Sequence, residues 1–221
     1  MASASLDPAG APDPGQLLLD GAASQGSLAH PYASSPELLQ GPDAARNLAD
    51  LIHFLCILHG RYPGVIDHAA DFAQGADARA WLSAAAEDFA IERGYVAALA
   101  AAAGPVPGTP GAQASESAVI GQRHAIEMLA KSERSGCALG AAMAVMLDWA
   151  PIRSVLDVAG RRFGLEWHSS ALGGGPEIAA AARRLAATPA AQRAMQFGAT
   201  QIYVQHRGLW DLLEARRIAR G

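Results

Sequence analysis

The chain is poor in cysteine, in aromatic side chains and in charge. Its two cysteines, Cys56 and Cys137, stand among 221 residues and lie in apolar runs. Two thiols so far apart make neither a disulfide framework nor a metal-binding cysteine pair; they read as buried free thiols in a reducing compartment. Lys and Arg number 17 against 21 Asp and Glu, a formal net charge of −4. That balance advertises no basic surface for nucleic acid or anionic lipid. The opening MASASLDPAGAPDPG has neither the basic start nor the apolar core of a secretory signal. No uncharged apolar run reaches the roughly 18 residues that span a bilayer. The expectation is a cytoplasmic protein without nucleic-acid or membrane partners. Alternating strand patterns bounded by hairpin turns are missing, as is any repeat of solenoid length.

What the chain has is alanine and leucine, within a hydrophobic content of 51%. That composition, with few β-branched clusters, favours helix. The organising stretch is 136–149, GCALGAAMAVMLDW, which carries no charged or strongly polar side chain from Cys137 to Leu147. A helix that is apolar all round belongs in a core. Gly136, Gly140 and Ala144 recur every fourth residue, so a neighbouring helix can approach closely on that face.

Around it the apolar periodicity predicts a helix over 43–59, a short one over 65–72 behind Pro63-Gly64, and a long one over 77–103 closed by GPVPGTPGA. A further helix starts at Ser115 or Ser117 and runs into the central one, continuous or kinked at Ser135-Gly136. Pro151 reads as the first residue of a separate helix, 169–176 as a flexible connection, and 177–187 as a short helix. Thr188-Pro189 opens a last helix that ends near 219. Residues 1–42, rich in Pro, Gly, Ala and Ser, are expected to be a flexible segment with one apolar island, Leu17-Leu18-Leu19, able to dock. The expected fold is an all-α, up-and-down helical bundle of one domain, 43–221, behind that segment.

Three helices each place one ionisable side chain in the middle of an apolar face: His59, Glu92 and His206. Hiding such a group alone is costly, so each needs a partner. The economical expectation is that they meet, directly or through an ion, since bundles build metal sites from inward Glu and His. Glu133 and Gln122 stand where they could complete or orient such a site. Imidazole with carboxylate suits zinc, iron or manganese, and open coordination positions would allow activation of water or oxygen. The plainer alternative is a set of core histidines bonded to backbone or carboxylate, with Glu92 matched to a histidine or an arginine.

Other polar features read as structural. Arg123, His124, Glu127 and Lys131 form a solvated ladder; Asp50 and His53 fall on the wet side of their helix, as does Arg93. Asp67-His68, after the Pro-Gly break, reads as a cap with its neighbour or as rim residues of a cleft. The closing EARRIARG suits a helix C-terminal dipole. Gly173-Gly174-Gly175 lacks the Lys-Ser/Thr of a phosphate loop. Trp149, Trp210, Tyr203 and Phe197 read as core or interface aromatics. No Ser or Cys nucleophile stands in a recognisable frame.

Five blocks, HGRYPGVIDHA at 59–69, GPVPGTPG at 104–111, GQRHAIEMLA at 121–130, GCALGAA at 136–142 and QHRGLWDLLEAR at 205–216, resemble an uncharacterised all-helical family of sphingomonad-type alphaproteobacteria. The resemblance spans most of 45–220 and implies fold and bacterial origin; it brings no activity with it. A looser similarity is to ferritin-like carboxylate bundles, from which the chain departs by lacking paired Glu-x-x-His motifs. The expected function is a non-enzymatic interaction or regulatory module, binding a protein partner or a second copy of itself. The alternative is a metal-binding, oxidative enzyme using His59, Glu92, His206 and Glu133.

Overall fold

A helix of 27 residues, Cys137–Phe163, runs through the middle of the protein. In this computed structural model, residues 13–134, 136–166 and 169–220 are described. The helices in chain order are α1 (Pro14–Gln25), α2 (Pro36–Leu39), α3 (Ala44–His59), α4 (Val65–Asp71), α5 (Ala76–Ala103), α6 (Ala112–Ala130), α7 (Cys137–Phe163), α8 (Gly175–Leu185) and α9 (Pro189–Ile218). Two 3-10 turns, Ser27–Ala29 and Pro31–Ser34, link α1 to α2. No strand occurs among the described residues. The fold is all-α, a helical bundle.

Pro151 does not open a new helix, as expected from the sequence, but sits inside α7. Proline removes one N–H and crowds the carbonyl four residues back, at Leu147. The helix carries on because Trp149, Ile152 and Leu156 beside the proline are buried, and packing outweighs one lost hydrogen bond. Unbroken, α7 is long and apolar enough to cross a membrane, yet 78% of its most apolar window is buried among other helices. It is a core helix. Its start is sharp: α6 stops at Ala130, and Gly136 precedes α7 with φ +96°.

The small-residue face of α7 packs on α9. A Cβ at Gly140 would lie 1.9 Å from the Met195 carbonyl oxygen, and one at Gly198 would lie 2.1 Å from that of Cys137. Backbone meets backbone there, so neither position has room for a side chain. Gly140 meets Met195, and further along Asp148 meets His206. The two helices therefore run in the same direction. α3 runs opposite to α9, pairing Asp50 with Arg216 and His59 with His206.

Residues 13–42, expected to be flexible, are instead helical and packed, with Leu18, Tyr32 and Leu38 buried; residues 1–12 lie outside the described residues. Three of the prolines that suggested disorder stand at helix starts, where their missing N–H costs nothing. Pro14, Pro31 and Pro36 each follow a capping side chain, Asp13, His30 and Ser35. His30 also bonds Asp211 at 2.9 Å and stacks on Trp210.

Candidate functional site

Beneath this strap, four elements bring one continuous polar chain into the core. His59 closes the last turn of α3 and His206 lies mid-way along α9; their Nε2 atoms are 2.8 Å apart, with the rings edge to face. His206 Nδ1 faces Asp148 Oδ2 on α7 at 2.6 Å. Asp148 then accepts the backbone N–H of Ser27 at 2.6 Å on Oδ1 and the Ser27 hydroxyl at 2.7 Å on Oδ2. Gly26 makes this approach possible, since a Cβ there would lie 2.4 Å from Asp148 Oδ1. His206 is fully buried and His59 is 5% exposed.

The hydrogen pattern follows from the acceptors. A carboxylate at Asp148 requires the hydrogen of His206 on Nδ1, so in the neutral ring Nε2 accepts and His59 Nε2 donates to it. Burial, with the charge of His206 second, holds His59 well below the ordinary histidine range, so His59 stays uncharged.

Glu92 sits one turn of α7 away in a second network. It accepts from Trp149 Nε1 at 2.9 Å and from Arg153 Nη1 at 2.8 Å, and is fully buried. Arg153 also donates to Asp157 at 2.8 Å and lies over the Tyr95 ring at 4.2 Å. The Phe89 and Trp149 rings stand between the two networks, each edge-on to His59.

Of the four residues expected to share a metal, the structure thus brings together His59 and His206. Glu92 is turned to Arg153, because a buried carboxylate gains most from a guanidinium that also fills its hydrogen bonds. Glu133 is exposed in the turn between α6 and α7, and Gln122 bonds the backbone of Gln205. No group of three or more His, Cys, Asp or Glu among the described residues is placed to hold a metal ion. Two imidazole nitrogens at 2.8 Å are also closer than two ligands of one ion at about 2.0–2.1 Å each and tetrahedral geometry. As placed, the four residues do not form one ligand set.

Ser27, Asp148, Arg153 and Asp157, members of these networks, escaped the sequence reading. Asp148 had a signal: four residues either side of it lie Ala144 and Ile152, both buried, which places a carboxylate on a core stripe. Asp50 and Arg93, read as wet, are buried in ion pairs, Asp50 with Arg216 and Arg93 with Asp67. Asp67 does cap, accepting the Gly64 N–H at 2.7 Å.

The polar chain opens on one side into a cleft of about 480 Å³ between α1, the middle of α7 and residues 170–175. Leu19, Leu28, Leu147, Pro151, Leu172 and Ile178 line it, with Asp148, Trp149, Arg153 and Asp157 at its floor. Leu28 is 69% exposed at its edge.

An all-helical bundle knit by buried histidine–carboxylate and arginine–carboxylate networks is the class that this geometry defines. Across residues 22–221 the chain matches the model of a family of unknown function, DUF6975. It belongs to that family. No curated protein and no solved structure matches it.

Proposed function

We propose that the protein is a non-enzymatic interaction module whose binding face is the cleft beside α7. The observation that carries this reading is the division of labour around Asp148. The ionisable groups of the core are spent on one another, whereas the cleft next to them is open, largely apolar and built on rigid helices. Clefts of a few hundred Å³ with apolar walls and a few polar groups are the usual form of binding sites, and an exposed leucine at the rim marks surface that gains from being covered. The partner that fits is an apolar segment of a protein, with a polar group meeting Arg153 and Asp157 at the floor. A second copy of this chain is one such partner.

The metal-enzyme alternative keeps two of its four ligands, so binding is the better supported reading. An environment-sensitive apolar dye should bind at one site per chain, and Leu28→Glu with Leu172→Glu should abolish it while leaving the helical signal intact. Dye binding that is absent, or indifferent to those substitutions, would contradict the proposal. Light scattering separates the partners: a mass that rises with concentration, and stops rising in the same variant, identifies self-association.

A further inference from the structure

The far end of the molecule holds an imbalance of charge that the cleft does not explain. The last turn of α9 and the residues just after it bring Arg216, Arg217 and Arg220 near the first half of α3. Asp50 is the buried carboxylate that Arg216 and Arg220 share: Arg216 Nη2 donates to it at 2.8 Å and Arg220 Nη1 makes a closer contact. Arg220 is held further by Thr109 Oγ1 at 3.0 Å and by Asn47 Oδ1. Arg217 makes no ion pair among the described residues, and its Nε is buried without a hydrogen-bond partner. Arg216 is 3% exposed, and its Nε and Nη1 are likewise unpartnered.

Two guanidinium groups therefore share one buried carboxylate, and Arg217, which lines the same recess as Arg220, has no ion-pair partner among the described residues. The C-terminal dipole of α9 offsets part of that excess, yet unpaired buried donors remain costly. Beside them is a recess of about 370 Å³, lined by Arg217, Arg220 and Asn47 on one side and by the 36–43 turn on the other. Asp43, which precedes α3, gives no side-chain cap to its N–H groups. Exposed Glu37 and Asp43 occupy the opposite rim, so an anionic group would enter facing α9.

We propose that this recess binds the phosphate group of a small molecule, with Arg217 and Arg220 as its cationic contacts. Planar guanidinium forks match phosphate oxygens in geometry as well as charge. Arg220 is already fixed by Asp50, Asn47 and Thr109, and Arg217 has its charge to spare. Preorganised donors of this kind lose little freedom on binding. The site is independent of the cleft beside α7.

Titration of the full chain with inorganic phosphate and with glycerol phosphate, at constant ionic strength against chloride, tests the proposal. Calorimetry should show saturable one-site binding of at least one of them. Tighter binding of the ester identifies a phosphorylated small molecule, and equal binding identifies free phosphate. Arg217→Gln should weaken that binding at least tenfold with an unchanged helical signal, because Arg217 makes no ion pair among the described residues for the substitution to break. Arg46→Gln, at an exposed arginine on α3, and the cleft variant Leu28→Glu should bind as the parent does. The absence of saturable binding, or equal weakening by Arg46→Gln and Arg217→Gln, would overturn it.

Discussion

His59 and His206 stand 147 residues apart in sequence and meet through their Nε2 atoms at 2.8 Å. Asp148 fixes the outer nitrogen of His206 and is itself fixed by Ser27. α3, α7, α9 and the N-terminal strap thus share one hydrogen-bonded chain, and cutting it at different links has different consequences.

Asp148→Ala removes the acceptor of three donors at once: the His206 Nδ1–H, the Ser27 N–H and the Ser27 hydroxyl. Leaving buried donors unpaired costs about 1–3 kcal/mol each, so a loss on the order of 3 kcal/mol or more is expected in urea unfolding. The strap loses its anchor as well. Limited proteolysis should cut near Gly26 faster than in the parent protein.

The Glu92–Arg153 pair should behave as buried ion pairs do. Glu92→Leu alone leaves a guanidinium in the core that has lost its most buried carboxylate, at a cost of about 3–5 kcal/mol. Adding Arg153→Met to it should recover most of that loss, because two apolar side chains of similar volume can pack where the pair was. Chemical denaturation of the two single variants and the double variant measures the difference.

Two glycines in helices should answer oppositely to alanine. At Gly140 the new methyl meets the Met195 carbonyl, and α7 and α9 must separate; overpacking of that kind costs about 1–3 kcal/mol. A Cβ at Gly94 in α5 meets nothing within 4 Å, so Gly94→Ala should stabilise by about 0.5–1 kcal/mol through helix propensity. Thermal unfolding would show one midpoint falling and the other rising.

Acid should act through His59. Its folded-state pKa is depressed, by burial first and by His206 second, while the unfolded chain takes up the proton near 6.5. The unfolded state therefore binds more protons below that pH. The stability contributed by a neutral His59 is complete above about 6.5 and is lost as pH falls, by about 1.4 kcal/mol per pH unit for one proton. Urea midpoints between pH 7.5 and 5 should show this slope, and His59→Phe should flatten it.

Much of this was legible in the chain. The apolar run 136–149 declared its own burial, and the spacing of Gly136, Gly140 and Ala144 announced the close approach to α9. His59 and His206 stood out because an imidazole in the middle of an apolar face needs company. Periodicity does not say which company. It offered Glu92 as the acid, whereas the register of α5 against α7 gives Glu92 to Arg153 and Trp149 and leaves the histidines to Asp148. Pro151 misled because a rule about isolated helices yields to packing on both sides of the residue. Asp50 and the closing arginines misled for a related reason: charges that pair across helices look, along one helix, like charges that face water. The N-terminal prolines carried a start signal in their cap–Pro pairs that composition alone obscures.

The claim on which the account rests is that the two imidazoles are satisfied by each other and by Asp148, with no ion between them. Long-range proton–nitrogen NMR of the histidine rings reads this directly, with and without added zinc, iron(II) or manganese(II). The account predicts a hydrogen on His206 Nδ1, an uncharged His59 still neutral at pH 6, and shifts indifferent to each metal. Rings that titrate freely near 6.5, or His59 and His206 nitrogen signals that move or broaden with one equivalent of metal, would contradict it.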